Sequence, residues 1–211
     1  ISINPQTLND GVLRGIGRCH TVDDFYRAFE YVRDSGIPHI NTDLIAGLPG
    51  DTYRSFSRTV DQILKLAPDN ITVHTFSVKK AADISHSGLD VYQPSAGDAQ
   101  KSVDYSQLKL GNAGYFPYYI YRQRNTVGNL ENVGFALEGC VGLYNIYIME
   151  ELHHIFAVGA GAVTKLVDSS KPAIERIFMP KYPYEYLSEE NEKFFNGEYR
   201  KKAEDFLRAM E

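Results

Sequence analysis

Three short β-like stretches, each separated from the next by an amphipathic helix, constrain this chain most. Ile1-Ser2-Ile3-Asn4 alternates in polarity and stops at Pro5-Gln6. Residues 38–45 form a second stretch that runs into the turn Gly47-Leu48-Pro49-Gly50, and residues 70–78 a third, with Ile71-Thr72-Val73-His74-Thr75-Phe76-Ser77 at its heart. Thr21, followed three positions later by Asp24, opens a helix whose apolar face is Phe25, Ala28, Phe29 and Val32, closed by Gly36. Asp51 or Thr52 caps a second helix with the stripe Phe56, Val60, Ile63, Leu64 and Leu66, halted by Pro68. Strands recurring about every 33 residues across intervening helices are βαβ units, with parallel strands and right-handed crossovers. Three strands cannot close a barrel. The segment is therefore half of a (β/α) barrel or part of an open doubly wound sheet.

The rhythm breaks after residue 80. Residues 94–111 read as helical, and Tyr115-Phe116-Pro117-Tyr118-Tyr119-Ile120-Tyr121 as a strand or strand pair. Residues 125–142, rich in Gly and Asn, read as a loop interrupted by Gly134-Phe135-Ala136-Leu137, and 146–151 as a strand or a turn of helix. Ile177 and Met179 alternate as in a strand, and a charged helix is expected from about Ser188 to Met210. The expected division is a set of β/α units over 1–80 and an accessory region over 81–211 packed on it. A strand starting at Ile1, with no Met or leader before it, reads as cut from a longer chain.

With 22 basic and 27 acidic residues in 211, the net charge of −5 gives no broad footprint for nucleic acid or anionic lipid. No apolar run approaches the roughly 18 residues of a membrane span. Cys19 and Cys140 show no CxxC spacing, which argues against a closed zinc or Fe–S site from this chain alone and fits reduced thiols in a cytoplasmic protein.

Several motifs can carry chemistry. Gly47 to Gly50 follows a strand and precedes a helix, where ligands bind in α/β proteins, or it is a plain tight turn. Asp43, among Ile40, Leu44 and Ile45, is costly to bury unless paired or near the strand's open end. Glu150-Glu151-Leu152-His153-His154 holds two ExxH spacings and reads as a solvated or locally paired face. Gly159-Ala160-Gly161 lacks the third glycine of a dinucleotide loop, so close packing of backbone is its better reading. The tyrosine-rich run beside Arg122-Gln123-Arg124 suits a flat anionic ligand, or is a half-buried strand with exposed arginines.

Taken together, the opening Ile1-Ser2-Ile3-Asn4-Pro5-Gln6-Thr7, then Asn41-Thr42-Asp43-Leu44-Ile45-Ala46-Gly47-Leu48-Pro49, and Leu66-Ala67-Pro68-Asp69-Asn70-Ile71-Thr72-Val73 resemble the radical S-adenosylmethionine (SAM) enzymes of the oxygen-independent coproporphyrinogen III oxidase family. Tyr121-Arg122-Gln123 and Gly128-Asn129-Leu130-Glu131-Asn132-Val133-Gly134 resemble its coproporphyrinogen dehydrogenase-like bacterial branch. The resemblance implies an α/β fold: the last three units of an open barrel of six β/α units, followed by an α+β C-terminal region. It implies SAM as cofactor, and a [4Fe–4S] cluster ligated by a CxxxCxxC motif that this chain lacks, so that this is the C-terminal portion of the enzyme and inactive alone. Carried over one at a time, Gln6, Arg18, Asp43 and Ser77 are expected to hold SAM, and Val163 to touch another SAM.

The implied reaction is oxidative decarboxylation of two coproporphyrinogen III propionates to vinyl groups, started by a 5′-deoxyadenosyl radical. The partners are a tetrapyrrole substrate and a reductant for the cluster, with Arg122 and Arg124 expected to meet the propionates. Two rivals stand beside this: haem binding or transfer without the oxidase step, and a phosphate-binding barrel fragment built on the Gly47 turn. The strand edge at Ile1 is expected to favour self-association.

Overall fold

In the computed structural model, which describes residues 1–77, 96–168 and 173–208, local capping sets the first helices. Helix α1 (Asp10–Gly15), not anticipated from sequence, is seeded by Asn9, whose side chain accepts the Gly11 and Val12 amides. Helix α2 (Val22–Asp34) has the expected capping box: Thr21 accepts the Asp24 amide and Asp24 accepts the Thr21 amide. Strand β1 (Asn41–Ala46), helix α3 (Tyr53–Leu66) and strand β2 (Asn70–Thr75) follow. Thr52 caps α3 on the Ser55 amide, and the helix ends at Ala67, in left-handed backbone at φ 47°.

β1 and β2 pair in parallel, Asn41 beside Asn70 through Ala46 beside Thr75. The first segment also runs parallel to β1, yet only as two bridges, Ser2 to Asn41 and Gln6 to Leu44. Pro5 has no N–H to give and Gln6 sits at φ 68°, so the ladder is interrupted there. Backbone bonds from Ile3 to Asn41 (2.9 Å) and from Gln6 to Asp43 (3.1 Å) keep it alongside. The three parallel segments with covering helices are those of the expected partial barrel.

Helix α4 (Ala96–Asn112) leads to strand β3 (Phe116–Tyr121), a 3-10 turn at Val127–Asn129 and strand β4 (Asn132–Ala136). β4 lies inside the stretch expected to be a loop. It runs antiparallel between β2 and β3, giving the order β1-β2-β4-β3. Its loop-like residues each serve the sheet. Buried Asn132 accepts the Thr75 amide at 2.7 Å and donates to the Tyr121 carbonyl at 3.3 Å, doing with its side chain what a ladder does with backbone. Gly134 lets the Tyr119 ring lie across the strand, since a Cβ there would come within 1.9 Å of it. β3 and β4 extend the β1–β2 sheet, and the chain forms two compact units, Ile1–Gly142 and Leu143–Glu211. Val78, the expected boundary at residue 80, and Pro94 lie outside the described residues.

Alternation along the strands sorts the two faces of the sheet. Leu44, Ala46, Ile71 and Val73 pack in one core with Phe25, Phe29, Phe56, Val60, Ile63, Val103 and Leu110, each large side chain contributing about 1.5–3 kcal/mol on full burial. Asn41, Asp43, Ile45, Thr72 and His74 therefore face the other side.

The second unit contains helix α5 (Leu143–Glu150), the antiparallel pair β5 (Val163–Asp168) and β6 (Ala173–Phe178), and helices α6 (Pro183–Tyr186), α7 (Glu189–Phe194) and α8 (Arg200–Arg208). Its core is Leu166, Ile177, Met179, Tyr199 and Ala203. Residues 146–151 thus lie in and just after a helix, β5 was not anticipated, and the charged tail is broken by a π-turn at Phe195–Tyr199; Met210 lies outside the described residues. Gly159 and Gly161 adopt φ 111° and 72°, and the Gly161 amide bonds the Pro180 carbonyl at 2.7 Å, a close backbone approach. Glu151 accepts Lys165 and Arg176, and His154 accepts the Val167 amide, so the ExxH stretch is locally paired. No helix among the described residues is long and apolar enough to cross a membrane.

Candidate functional site

A cleft of about 390 Å³ opens at the C-terminal ends of the parallel strands, the end at which (β/α) barrels place their sites. Gln6 lines it from the first segment and Arg18 from the chain just after α1, Ile45 and Leu48 from the end of β1 and the turn that follows, His74 to Ser77 from the end of β2 and the residues beyond it, and Tyr121 and Gln123 from the end of β3 and just after it. A larger groove of about 670 Å³ in the second unit, beside Met179 and Tyr184, is lined by Glu185 and Glu190 and contains none of the expected residues.

The backbone explains why these side chains converge. Gln6 is buried where its segment turns, its amide bonded to the Asp43 carbonyl and its carbonyl to the Ile45 amide. Its side-chain amide has only a long 3.5 Å contact with the Asn4 carbonyl. Arg18 follows Gly17, whose φ of 74° ends α1, and its amide returns to the Leu13 carbonyl at 2.9 Å, while the side chain is exposed. Ser77 bridges Thr126, and its hydroxyl donates to the Arg124 carbonyl at 2.8 Å.

Asp43 stands one side chain back from the cleft lining. Its Oδ1 accepts Asn41 Nδ2 at 2.9 Å, and Oδ2 lies 3.6 Å from His74 Nε2. Burial alone would raise its carboxyl, but His74 and Asn41 outweigh burial and hold it below the usual carboxylate range. On the far side of His74, Nδ1 meets the Tyr121 hydroxyl at 2.8 Å. Tyr121 stacks on Tyr119 with ring planes 4° apart, and the Tyr119 hydroxyl reaches Thr72 at 3.3 Å. Burial pushes the Tyr119 phenol up to about 12 and also raises that of Tyr121, where the Asp43 charge adds to the effect, so both remain O–H groups near neutral pH. If the Tyr121 hydroxyl donates to Nδ1, the neutral ring carries its proton on Nε2, on the side of Asp43.

Sequence reading did not single out His74, and took Tyr121 only as part of the tyrosine-rich run, not as a partner of His74. The signal was present in the period of two: positions 41, 43 and 45 of β1 and 72 and 74 of β2 share a face once the strands are parallel and in register. The arginines sort differently. Arg122 pairs with Glu131 at 2.8 Å with both side chains largely exposed, Arg124 is exposed with its carbonyl held by Ser77, and Gln123 between them lines the cleft. Val163 opens β5 in the second unit, half-buried opposite Phe178.

The Gly47 turn is tight, with φ of 77° at Gly47 and 76° at Gly50. At the start of α3 the Thr52 amide is taken by the Asp51 carboxylate and the Ser55 amide by the Thr52 hydroxyl. An anion would meet a carboxylate there, which disfavours the phosphate reading.

Comparison with known proteins agrees with this geometry. A model of the Radical SAM superfamily matches residues 1–63. The chain is 38% identical over 194 residues to the oxygen-independent coproporphyrinogen-III oxidase-like protein HemZ of Bacillus subtilis, a match covering 92% of this chain and 38% of that protein. It is 33% identical over 79 residues to the heme chaperone HemW of the same organism, covering 37% of this chain and 21% of that protein. Its fold is similar to coproporphyrinogen III oxidase (HemN) from Escherichia coli, a radical SAM enzyme, with a TM-score of 0.65 at 18% identity, covering 93% of this chain and 43% of that one. The chain thus spans less than half the length of each. With three parallel segments, a cleft at their C-terminal ends and the DLIAGLP segment running from β1 into the turn after it, the chain belongs to the radical SAM superfamily and, within it, to the oxygen-independent coproporphyrinogen III oxidase-like family.

Proposed function

We propose that the cleft binds SAM, and that the chain is part of a cytoplasmic oxidoreductase of haem biosynthesis that turns two propionates of coproporphyrinogen III into vinyl groups. One observation carries the reading: Gln6, Arg18 and Ser77, far apart in sequence, line a single cleft, and Asp43 lies one side chain beyond it, against His74. The cleft volume falls within the range of small-molecule sites, roughly 300–1,000 Å³.

The donor set suits SAM. Arg18 can only donate and is matched to the amino-acid carboxylate; ionised Asp43 can only accept and is matched to the ribose hydroxyls or the ammonium; Gln6 can do either. His74, fixed by Tyr121, keeps the Asp43 carboxylate ionised and aimed. These are positioning tasks, with no proton transfer. SAM, when bound beside a reduced cluster, supplies the hydrogen-abstracting power the reaction needs. Cys19 is exposed and Cys140 lies between Asp69 and the end of β4, so this chain's thiols do not fit a three-cysteine cluster. We assign the cluster ligands to protein outside this sequence and count an external reductant among the partners. Val163 remains our candidate contact for a second SAM.

For the propionates, Arg124 is the stronger candidate, because Ser77 ties its backbone to the cleft while Arg122 is already paired with Glu131. Arg124→Lys, which keeps charge and loses the bidentate fork, should weaken tetrapyrrole binding more than Arg122→Lys. The similarity to a heme chaperone supports a second reading, haem handling without oxidation. Anaerobic incubation of the cluster-loaded, full-length protein with SAM and coproporphyrinogen III separates the two. Vinyl products support the oxidase; a stable haem complex with no turnover supports the alternative.

A further inference from the structure

At the opposite ends of the same strands, three side chains of different chemistry meet. His39 precedes β1, Asp69 precedes β2 and Cys140 follows β4. His39 Nδ1 is 3.5 Å from Asp69 Oδ1, Cys140 Sγ is 3.6 Å from that same oxygen, and the three ligand atoms all lie within 4.8 Å of one another. We propose that His39, Asp69 and Cys140 form a three-ligand site for a borderline-soft divalent ion of the zinc type, with water in the fourth position.

The spacing is that of a tetrahedral shell. Nitrogen and oxygen ligands about 2.0 Å from zinc, and sulfur about 2.3 Å from it, stand roughly 3.3–3.8 Å from one another. Both measured edges fall in this range, and the exposed His39 side chain can rotate to close the third. A thiolate with an imidazole selects against magnesium and calcium, which require oxygen shells.

The surroundings hold the ligands in place. Asp69 Oδ2 accepts the Ile40 amide at 2.8 Å, which orients the carboxylate and leaves Oδ1 toward the other two groups. The Cys140 amide donates to Leu137 at 3.0 Å, and its carbonyl accepts Asn70 Nδ2, so the thiol's backbone is fixed from both sides. An ion there would clip the starts of two parallel strands to the segment leaving the antiparallel strand beside them. The six residues of β1 separate it from the cleft by roughly 20 Å, so its role is structural and independent of SAM.

The test is a cobalt titration of the reduced chain, followed by zinc. One equivalent of cobalt should give saturating thiolate-to-cobalt absorption with the intense visible bands of a tetrahedral site, and one equivalent of zinc should abolish them. Cys140→Ser should remove the thiolate band and His39→Ala weaken binding at least tenfold, while Cys19→Ser leaves both unchanged. Circular dichroism of each variant verifies that it is folded, and zinc should raise the urea midpoint of the unmodified chain but not of Cys140→Ser. No thiolate band at saturation, or a band that survives Cys140→Ser, overturns the proposal without touching the reading of the cleft.

Discussion

Gly134→Ala offers a change whose sign depends on one contact. In an unobstructed strand, alanine stabilises relative to glycine by about 0.5–1 kcal/mol, chiefly by restricting the unfolded chain. At Gly134 the new Cβ would come within 1.9–2.8 Å of three atoms of the Tyr119 ring. Tyr119 sits directly opposite on β3, and Thr72 lies opposite on β2, so the ring crosses Gly134 to reach the Thr72 hydroxyl. At that distance the ring cannot stay where it is: moving it forfeits that hydrogen bond, about 1 kcal/mol, and its stacking on Tyr121, about 0.5–1.5 kcal/mol, while shifting the strands apart instead costs roughly 1–3 kcal/mol. The expected net is a loss of about 1–2 kcal/mol. In a Tyr119→Ala background the obstruction is gone, and the same glycine substitution should be neutral or stabilising. Urea unfolding followed by far-UV circular dichroism and tyrosine fluorescence reads this in a chain with 15 tyrosines and no tryptophan. A stabilised single variant, or an equal loss in both backgrounds, would refute the reasoning.

Two further perturbations address the polar face. Because His74 and Asn41 hold the Asp43 carboxyl below its usual value, ionised Asp43 adds stability above the unfolded-state pKa near about 4, and that contribution is lost as pH falls through the lower folded value. Asp43→Asn should therefore flatten the acid limb of a pH series of urea midpoints; an unchanged limb would contradict this. His74→Phe keeps a ring of similar size but removes the hydrogen-bond partner of Tyr121 and the partner of Asp43, and should cost about 1–2 kcal/mol. Carboxyl NMR should then show the Asp43 pKa rising, and a pKa that stays put would count against His74 as its partner.

Much of the first unit was legible because its signals are local. Thr21 and Asp24 spell out a capping box, Phe56, Val60 and Ile63 recur at helical spacing, and β1 and β2 follow from the βαβ rhythm. β4 was not legible, since Asn132 and Gly134 suit a turn by propensity and suit a strand only through Thr75 and Tyr119, contacts 57 and 15 positions away. The same holds at the site. Gln6, Arg18 and Ser77 came from motif resemblance, and Asp43 from that and from its place among apolar neighbours, whereas the meeting of His74 with Tyr121 emerges only when β3 is placed two strands from β2, with β4 between them. The bend at Gln6 was equally hidden, because its positive φ is stabilised by hydrogen bonds to β1 rather than by its own side chain.

The central claim is that the cleft holds SAM, and isothermal titration of SAM into the cluster-loaded, full-length protein tests it most directly. Charge-assisted hydrogen bonds contribute about 1.5–3 kcal/mol each, and about 1.4 kcal/mol is tenfold in affinity. Asp43→Ala and Arg18→Ala should therefore each weaken SAM binding by roughly 10- to 100-fold, and Gln6→Ala by somewhat less, with folded structure retained in all three. SAM affinity unchanged by all three substitutions would contradict the account.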